Sequence, residues 1–276
     1  MHSRFPHTAL TFSAALLAFT AIASTASAQE APQPPPTSQV EVWSIEKTAS
    51  LGRTIFLNDR AATRASDALL AHFNGTLPEG MVGWIVIPQN DNLLVRFLIG
   101  DRLFPSAGYD VLVDAQGRAG TVTPAAQPAL TPSELTQFRA RITAGGSFDR
   151  SDLLCAPRYN AVELYDPETG GWLVWLLAST TDPSIVPMGG HYRFRISLDG
   201  QTILKREALS ASCLDITKRP QDVALLAAAI DTPRPTEVHV FLSLGANLPI
   251  YASAGDRFWM INGASLEDIG TAPTRP

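Results

Sequence analysis

The chain has little charge and almost no cysteine, and both shortages exclude classes of protein. Only 17% of its 276 residues are charged, and the formal net charge is −5. With 45% hydrophobic residues the chain is too apolar to stay disordered throughout. Its net charge has the wrong sign for a protein that binds nucleic acid. Two cysteines are too few for a disulfide-dense scaffold or a four-cysteine zinc module.

Long hydrophobic runs are also missing, except at the N-terminus. Residues 1–28 have a short basic start, an apolar run and the small-residue ending Ala-Ser-Ala, a pattern typical of a cleaved signal peptide. Beyond it the longest apolar run is residues 223–230, whereas a membrane-spanning helix needs roughly 20 residues. We therefore predict an exported protein, periplasmic or secreted, with no membrane span after signal cleavage. An uncleaved anchor is the alternative.

The two cysteines, Cys155 and Cys213, both lie beyond the predicted signal peptide. An even number of cysteines in an oxidising compartment favours a disulfide bond between them. Such a bond stabilises the fold by about 4 kcal/mol in the chain-entropy model. Two free thiols are the alternative.

Proline-rich stretches divide the chain into predicted regions. Residues 29–39 are expected to form an extended linker. A second stretch, residues 121–131, separates two well-patterned regions. We predict an N-terminal lobe over residues 40–120 and a C-terminal lobe over residues 131–270. One domain that carries a long surface loop is the alternative.

Three segments have helical patterns. The clearest, residues 131–145, begins with the capping-box sequence Thr-Pro-Ser-Glu and ends at a Gly-Gly pair. Weaker apolar spacing predicts helices over residues 61–73 and 220–230.

A strand–turn–strand pattern follows each predicted helix. The hairpins are expected within residues 83–99, 160–177 and 237–252, with further strands at 109–114 and 192–198. The predicted fold class is therefore α+β, with antiparallel hairpins covered by about three short helices. The order recurs as an α-β-β-β unit, which indicates internal duplication or, alternatively, convergence on a common arrangement.

Catalytic signatures are scarce in this sequence. It has no Gly-x-Ser-x-Gly, Walker, dinucleotide-binding, His-Glu-x-x-His or Cys-x-x-Cys motif. The histidines beyond residue 28 lack the local spacing of metal ligands, so we expect no metal site and no cofactor. A hydrolase with a site assembled from dispersed residues around His191 or His239 stays an alternative.

One predicted hairpin concentrates positive charge. Residues 192–198 alternate between apolar and polar side chains, and the Asp-Gly pair that follows is typical of a two-residue turn. Such a turn places Arg193 opposite Arg206 and Arg195 opposite Leu204. The polar face is expected to be exposed to solvent.

This face is the candidate ligand site. Its basic side chains are His191, Arg193, Arg195 and Arg206. Like charges so close together need an acidic counterpart, which predicts a site for an anionic ligand. The alternative is that carboxylates of the protein, Glu163 and Asp166 foremost, neutralise the cluster.

These observations favour a non-catalytic exported protein. Its expected partner is a protein, a peptide or an acidic ligand in the cell envelope or outside the cell, bound through a sheet face or edge. The hydrolase and a purely structural role in the envelope are the alternatives. The oligomeric state stays open.

Overall fold

A computed structural model describes residues 39–148 and 152–271 of the chain. The predicted signal peptide and all but the last residue of the predicted linker lie outside these residues. Three helices and 14 strands occur in the described part, and most strand pairs are antiparallel. The predicted α+β class is thereby confirmed.

The elements have the following bounds. The helices are α1 (Ile45–His72), α2 (Pro132–Gly145) and α3 (Glu237–Ala246). The strands are β1 (Met81–Gln89), β2 (Asn92–Gly100), β3 (Pro105–Val113), β4 (Thr123–Pro124), β5 (Tyr159–Asp166), β6 (Gly171–Ala178), β7 (Ile185–Pro187), β8 (Tyr192–Ile196), β9 (Ile203–Ala208), β10 (Asp215–Thr217), β11 (Leu225–Ile230), β12 (Ile250–Ala254), β13 (Arg257–Asn262) and β14 (Ser265–Thr271).

The strands form three four-stranded sheets and one two-stranded sheet in the described part of the chain. The three larger sheets have the orders β1-β2-β3-β4, β5-β6-β8-β9 and β11-β12-β13-β14, and β7 pairs with β10. Only the β11–β12 pair is parallel among them. Most strands of each larger sheet follow the same helix in the sequence. A helix followed by antiparallel strands therefore occurs three times along the chain. Internal duplication stays a prediction.

Helix α2 forms where its capping box predicts. The Thr131 hydroxyl accepts the Glu134 N–H at 3.3 Å, and the Glu134 carboxylate accepts the Thr131 N–H at 2.7 Å. Phe138 is fully buried and packs with Ile85 and Leu98 of the first sheet. The apolar stripe of this helix thus covers strands on both sides of the predicted boundary between lobes, whose position stays a prediction.

Helix α1 begins much earlier than the predicted residues 61–73. Ser44 caps its N-terminus by accepting the Lys47 N–H at 3.2 Å. Its early half contains Gly52, which lowers helix propensity. A Cβ at Gly52 would lie 2.4 Å from the Val240 Cβ, so the glycine is needed for α1 and α3 to approach.

The predicted helix over residues 220–230 is wrong, because residues 225–230 form strand β11. Leu225 is buried whereas Leu226 is 65% exposed, which is the alternation of a strand. The spacing of apolar residues also fits a helix, but the main chain of β11 pairs with β12. This pairing requires a strand that lies far away in sequence, which local periodicity does not detect.

The predicted strand that begins at residue 237 is wrong as well, because this segment forms helix α3. Its residues are buried on most sides, and a short apolar run does not distinguish a buried helix from a buried strand. His239 Nδ1 accepts the Thr236 N–H at 3.0 Å, which is half of a capping box with histidine in place of glutamate.

The predicted disulfide bond between Cys155 and Cys213 is present. It links residues that are 58 positions apart. No helix of residues 39–148 and 152–271 is long and apolar enough to cross a membrane. The largest apolar core lies between α3, the third sheet and strand β6, and α1 contributes Ile55 to it.

Substitution of Gly52 by alanine tests the contact between α1 and α3. We expect Gly52→Ala to lower the free energy of unfolding by about 1–3 kcal/mol, since the new methyl group overlaps Val240. Urea unfolding measures the loss. The control is Gly145→Ala in α2, where a Cβ meets nothing within 4 Å and stability should rise by up to about 1 kcal/mol. Equal effects would contradict the packing constraint.

Candidate functional site

The predicted cationic hairpin consists of β8 and β9, but its register differs from the prediction. A bulge after Arg195 adds one residue to β9. Arg193 therefore pairs with Glu207 instead of Arg206. Because directly opposite residues share a face of the sheet, the shift moves Arg206 to the face away from Arg193.

Arg193 is fully buried and is surrounded by acceptors. Its Nε donates to Glu207 at 2.8 Å, its Nη1 to Glu237 at 2.9 Å and its Nη2 to the main-chain oxygen of Glu41 at 2.6 Å. The ring centroid of Trp43 lies 3.9 Å from the guanidinium carbon. We refer to these five residues as the Arg193 cluster.

Arg195 continues this ionic network toward the surface. It pairs across the strands with Lys205 and not with Leu204, so that part of the prediction is wrong. Its Nη1 donates to Asp166 at 2.7 Å and its Nη2 to the Glu41 carboxylate at 3.1 Å. The cation is therefore shared between two carboxylates of the protein.

Arg206 lies on the other face of the hairpin among aromatic rings. Its guanidinium carbon is 5.4 Å from the ring centroid of Phe148, 5.3 Å from that of Tyr192 and 5.9 Å from that of Phe194. It also forms an ion pair with Asp152. Cation–π contacts and this carboxylate together compensate for the loss of its hydration.

The expected solvent exposure of this face is wrong. The exposed fraction is 1% for His191, 0% for Arg193 and 4% for Arg206. Carboxylates of the protein occupy the positions that an external anion would take beside Arg193, Arg195 and Arg206. Asp166 is one of the two residues expected to do so. Binding of an acidic ligand here stays a prediction, and it requires such an anion to displace internal carboxylates.

Hydrogen bonds and neighbouring cations keep the carboxylates of Glu41 and Glu207 ionised. Burial alone would raise the pKa values of Glu41 and Glu207. Hydrogen bonds from Trp43 and Arg195 instead lower the pKa of Glu41 to about 2. The hydrogen bond and charge of Arg193 likewise hold the pKa of Glu207 below its usual range.

The two histidines of the hydrolase alternative form hydrogen bonds with main-chain groups. His191 Nδ1 accepts the Ala178 N–H at 3.1 Å, and its Nε2 lies 2.7 Å from the Pro187 carbonyl oxygen. His239 Nδ1 caps α3 at Thr236. Burial lowers the pKa of each ring to about 4. Within residues 39–148 and 152–271 neither ring contacts a carboxylate or a serine hydroxyl at hydrogen-bond distance.

A groove runs along α1, between this helix and the ends of the β1–β2 and β5–β6 hairpins. It contains a cavity of about 740 Å³, and a second cavity of about 380 Å³ lies next to it. The two cavities share Thr54, Asn58, Pro88 and Leu164. We refer to both together as the α1 groove. The apolar side chains of the larger cavity are Leu51, Val86, Ile87, Pro88, Leu164, Tyr165, Pro167, Trp172 and Leu173.

Two buried amide side chains line the α1 groove. Asn58 is 5% exposed and its Nδ2 donates to the Thr54 carbonyl at 2.9 Å. Gln137 is 7% exposed and its Nε2 donates to the Val86 carbonyl at 3.0 Å. Their oxygens, Asn58 Oδ1 and Gln137 Oε1, accept no hydrogen bond from any residue that the structure describes. Since each oxygen lines the cavity without a donor from the protein, it can accept a hydrogen bond from a ligand.

Four carboxylates line the larger cavity of the α1 groove, and each is paired with a cation of the protein. The pairs are Lys47–Glu168 at 2.6 Å, Arg96–Glu134 at 2.5 Å, Arg141–Glu163 at 2.7 Å and Arg195–Asp166 at 2.7 Å. We refer to these acids as the groove carboxylates. The smaller cavity adds the side chains of Arg53, Arg60, Asp91 and Asp114, so the lining of the α1 groove carries charges of both signs.

Glu163 is the most deeply buried of these four acids. Its burial raises the pKa of the carboxyl group, and the charge of Arg141 opposes that rise. Arg141 in turn lies 4.5 Å from the ring centroid of Trp84. The sequence predicted that Glu163 would neutralise the cationic hairpin. The structure shows that Glu163 instead neutralises Arg141, a residue of α2.

The sequence reasoning did not find the α1 groove. Lys47, Ser50, Leu51, Thr54 and Asn58 line it at helical spacing, but this half of α1 was not predicted to be helical. A helix predicted to begin after Ser44 would have placed these five residues on one face. In the described ranges no group of three or more His, Cys, Asp or Glu side chains is placed to hold a metal ion.

Removal of the buried guanidinium tests the importance of the Arg193 cluster. Arg193→Gln should lower the free energy of unfolding by about 3–5 kcal/mol, because Glu207 and Glu237 lose their buried counter-charge. Urea unfolding at pH 7 measures the loss. The control is Arg257→Gln, which breaks an exposed pair with Asp268 and should cost less than about 1 kcal/mol. Similar losses in the two variants would refute a central role for Arg193.

Stability should also fall at mildly acidic pH. Below about pH 6.5 the unfolded chain protonates His191 and His239, whereas the folded chain, with pKa values of about 4, does not. The contribution of the neutral rings is therefore complete above pH 6.5 and is lost between pH 6.5 and 4. At pH 5 we expect a loss of about 2 kcal/mol per ring relative to pH 7.

Urea unfolding of His191→Gln at pH 7 and pH 5 isolates one ring. The variant should lose about 2 kcal/mol less than the wild type between these pH values. Glu163, whose raised pKa acts in the opposite direction, contributes equally to both proteins. The same pH dependence in both proteins would contradict a buried neutral His191.

Two comparisons with known proteins, one with family models and one with curated proteins, find no match to this chain. No protein-family model matches it. No curated protein matches it either. Its function is therefore inferred from its own side chains and their surroundings.

Proposed function

We propose that this protein is an exported, non-catalytic binding protein that holds an elongated apolar ligand in the α1 groove. One observation carries the proposal. Two amide oxygens, Asn58 Oδ1 and Gln137 Oε1, belong to buried side chains, line the same cavity and accept no hydrogen bond from the described residues. Concave sites with apolar walls and a few polar groups are the usual form of ligand sites.

The dimensions of the α1 groove support an elongated ligand. Its larger cavity, about 740 Å³, falls within the range of roughly 300–1,000 Å³ that is usual for ligand sites. Along α1 the lining of the larger cavity extends from Lys47 to Asn58, about 16 Å at 1.5 Å per residue. A compact ligand would leave much of this length empty.

The hydrolase is the less supported alternative. A hydrolase of this kind needs a histidine that can exchange protons with a nucleophile. Both ring nitrogens of His191 are engaged by main-chain groups, and His239 caps a helix. Both rings are buried, and neither lines the larger cavity of the α1 groove.

Export is the part of the proposal that rests on residues 1–28. Their pattern is that of a signal peptide. The Cys155–Cys213 disulfide supports an oxidising compartment, such as a periplasm or the extracellular space, since cytosolic proteins rarely keep such bonds.

Fluorescence of the uncharged probe N-phenyl-1-naphthylamine tests the proposed function. We expect saturable binding to the native protein. Tyr165→Glu should weaken it about tenfold, because it replaces a half-exposed groove side chain with a charge, and tenfold corresponds to about 1.4 kcal/mol. The control is Leu204→Glu, which changes an exposed apolar side chain of β9 that does not line the groove. Lack of saturable binding, or equal weakening by both substitutions, would refute the proposal.

A further inference from the structure

We propose that the smaller cavity of the α1 groove is a separate binding site for a small zwitterion, a molecule that carries a carboxylate and an ammonium group on an apolar body. Free amino acids and short peptides share this chemistry. The site is independent of the larger cavity, to which we assign the elongated apolar ligand. Three features carry the inference: a packed arginine without a protein partner, an unpaired carboxylate in the same lining, and the apolar side chains of that lining.

Arg60 is the cation of this cavity that the fold holds in place. Its guanidinium carbon lies 5.2 Å from the ring centroid of Phe56. It also packs against the turn after β3, where a Cβ at Gly117 would lie 2.8 Å from its Nε. Despite this packing, its guanidinium forms no hydrogen bond or ion pair with any residue that the structure describes. Its N–H donors are therefore available to an anion in the cavity.

Arg53 adds a second unpaired cation from α1. It lies about two helical turns before Arg60 and lines the same cavity. It is exposed, and no described residue pairs with it. The charged residues that α1 contributes to this cavity are thus both arginines. Because a planar guanidinium binds a carboxylate through two parallel hydrogen bonds, this wall suits the carboxylate of a ligand.

The strands contribute the opposite charge. Asp91, in the turn between β1 and β2, is exposed and has no partner among the described residues. Asp114, after β3, also lines the cavity, but Arg118 neutralises it at 2.7 Å. Although Asp91 and Arg60 line one cavity, no ion pair joins them. A ligand with both charges satisfies the two residues at once, whereas a ligand with one charge leaves one of them unpaired.

Apolar side chains and the cavity volume limit the rest of the ligand. The apolar lining, formed mainly by Leu57, Ala61, Leu93, Val113 and Leu164, favours an apolar body. The volume of about 380 Å³ is near the lower end of the range of roughly 300–1,000 Å³ that is usual for ligand sites. The ligand is therefore a small molecule.

Isothermal titration calorimetry at pH 7 with four probes tests the ligand class. L-leucine and the dipeptide Leu-Leu carry both charges, with a shorter and a longer separation between them. N-acetyl-L-leucine keeps only the carboxylate, and L-leucinamide keeps only the ammonium group. We expect saturable binding of at least one zwitterion, and binding of both single-charge probes that is weaker by about tenfold or more.

Two substitutions assign each charge of the ligand to a residue. Arg60→Gln and Asp91→Asn should each weaken the bound zwitterion by about tenfold. Asp91→Asn should not weaken N-acetyl-L-leucine, and Arg60→Gln should not weaken L-leucinamide, because each probe lacks the group concerned. Arg64→Gln and Asp67→Asn are the matched controls and should leave binding unchanged, because both residues are exposed on α1 and neither lines the groove.

The outcomes separate this site from the proposed function. Tyr165→Glu changes the lining of the larger cavity only, so it should leave the zwitterion bound as tightly as before. Lack of binding by both zwitterions, or a single-charge probe that binds as tightly as they do, would overturn the zwitterion site. Equal weakening by Arg60→Gln and Arg64→Gln would overturn it as well. Binding of N-phenyl-1-naphthylamine tests the larger cavity separately in each case.

Discussion

The guanidinium of Arg193 connects three parts of the chain that are distant in sequence. It binds Glu207 of the neighbouring strand, Glu237 at the start of α3 and the main chain at Glu41. A charge buried this completely is tolerated only when its donors are satisfied with good geometry. The strand β9, the N-terminus of α3 and the segment before α1 must therefore come together in one arrangement.

The position of the α1 groove depends on the Arg193 cluster, because α3 and α1 connect the two. Glu237, held by Arg193, lies in the first turn of α3, where a carboxylate also interacts favourably with the helix dipole. α3 packs against α1 at Gly52, and residues of α1 between Lys47 and Ala61 form one wall of the groove. Arg195 supports the groove more directly, because its partner Asp166 lies in the wall opposite α1. The ionic cluster is thus a structural support for the groove, and the lining of the larger cavity presents apolar and amide side chains to the proposed ligand.

Local signals in the sequence predicted some elements well and others badly. The capping box at Thr131 predicted α2, because both partners of this motif lie within four residues. The β1–β2 and β5–β6 hairpins were likewise found from alternating runs around short turns. Strand β11 was mistaken for a helix because its partner β12 lies beyond α3 in sequence. The bulge after Arg195 was not foreseen, and this single residue reversed the face expected for Arg206.

The sequence by itself determined the α+β class, the capped start of α2, the main hairpins and the pairing of Cys155 with Cys213. These follow from short-range periodicity, turn chemistry and cysteine number, which need no knowledge of distant neighbours. Only the tertiary structure decided that the arginines of the hairpin are buried, and which carboxylates neutralise them. Only it brought Asn58 and Gln137 to one cavity. The burial of a charge and the assembly of a cavity both depend on contacts between distant segments, and these form only when the chain has folded.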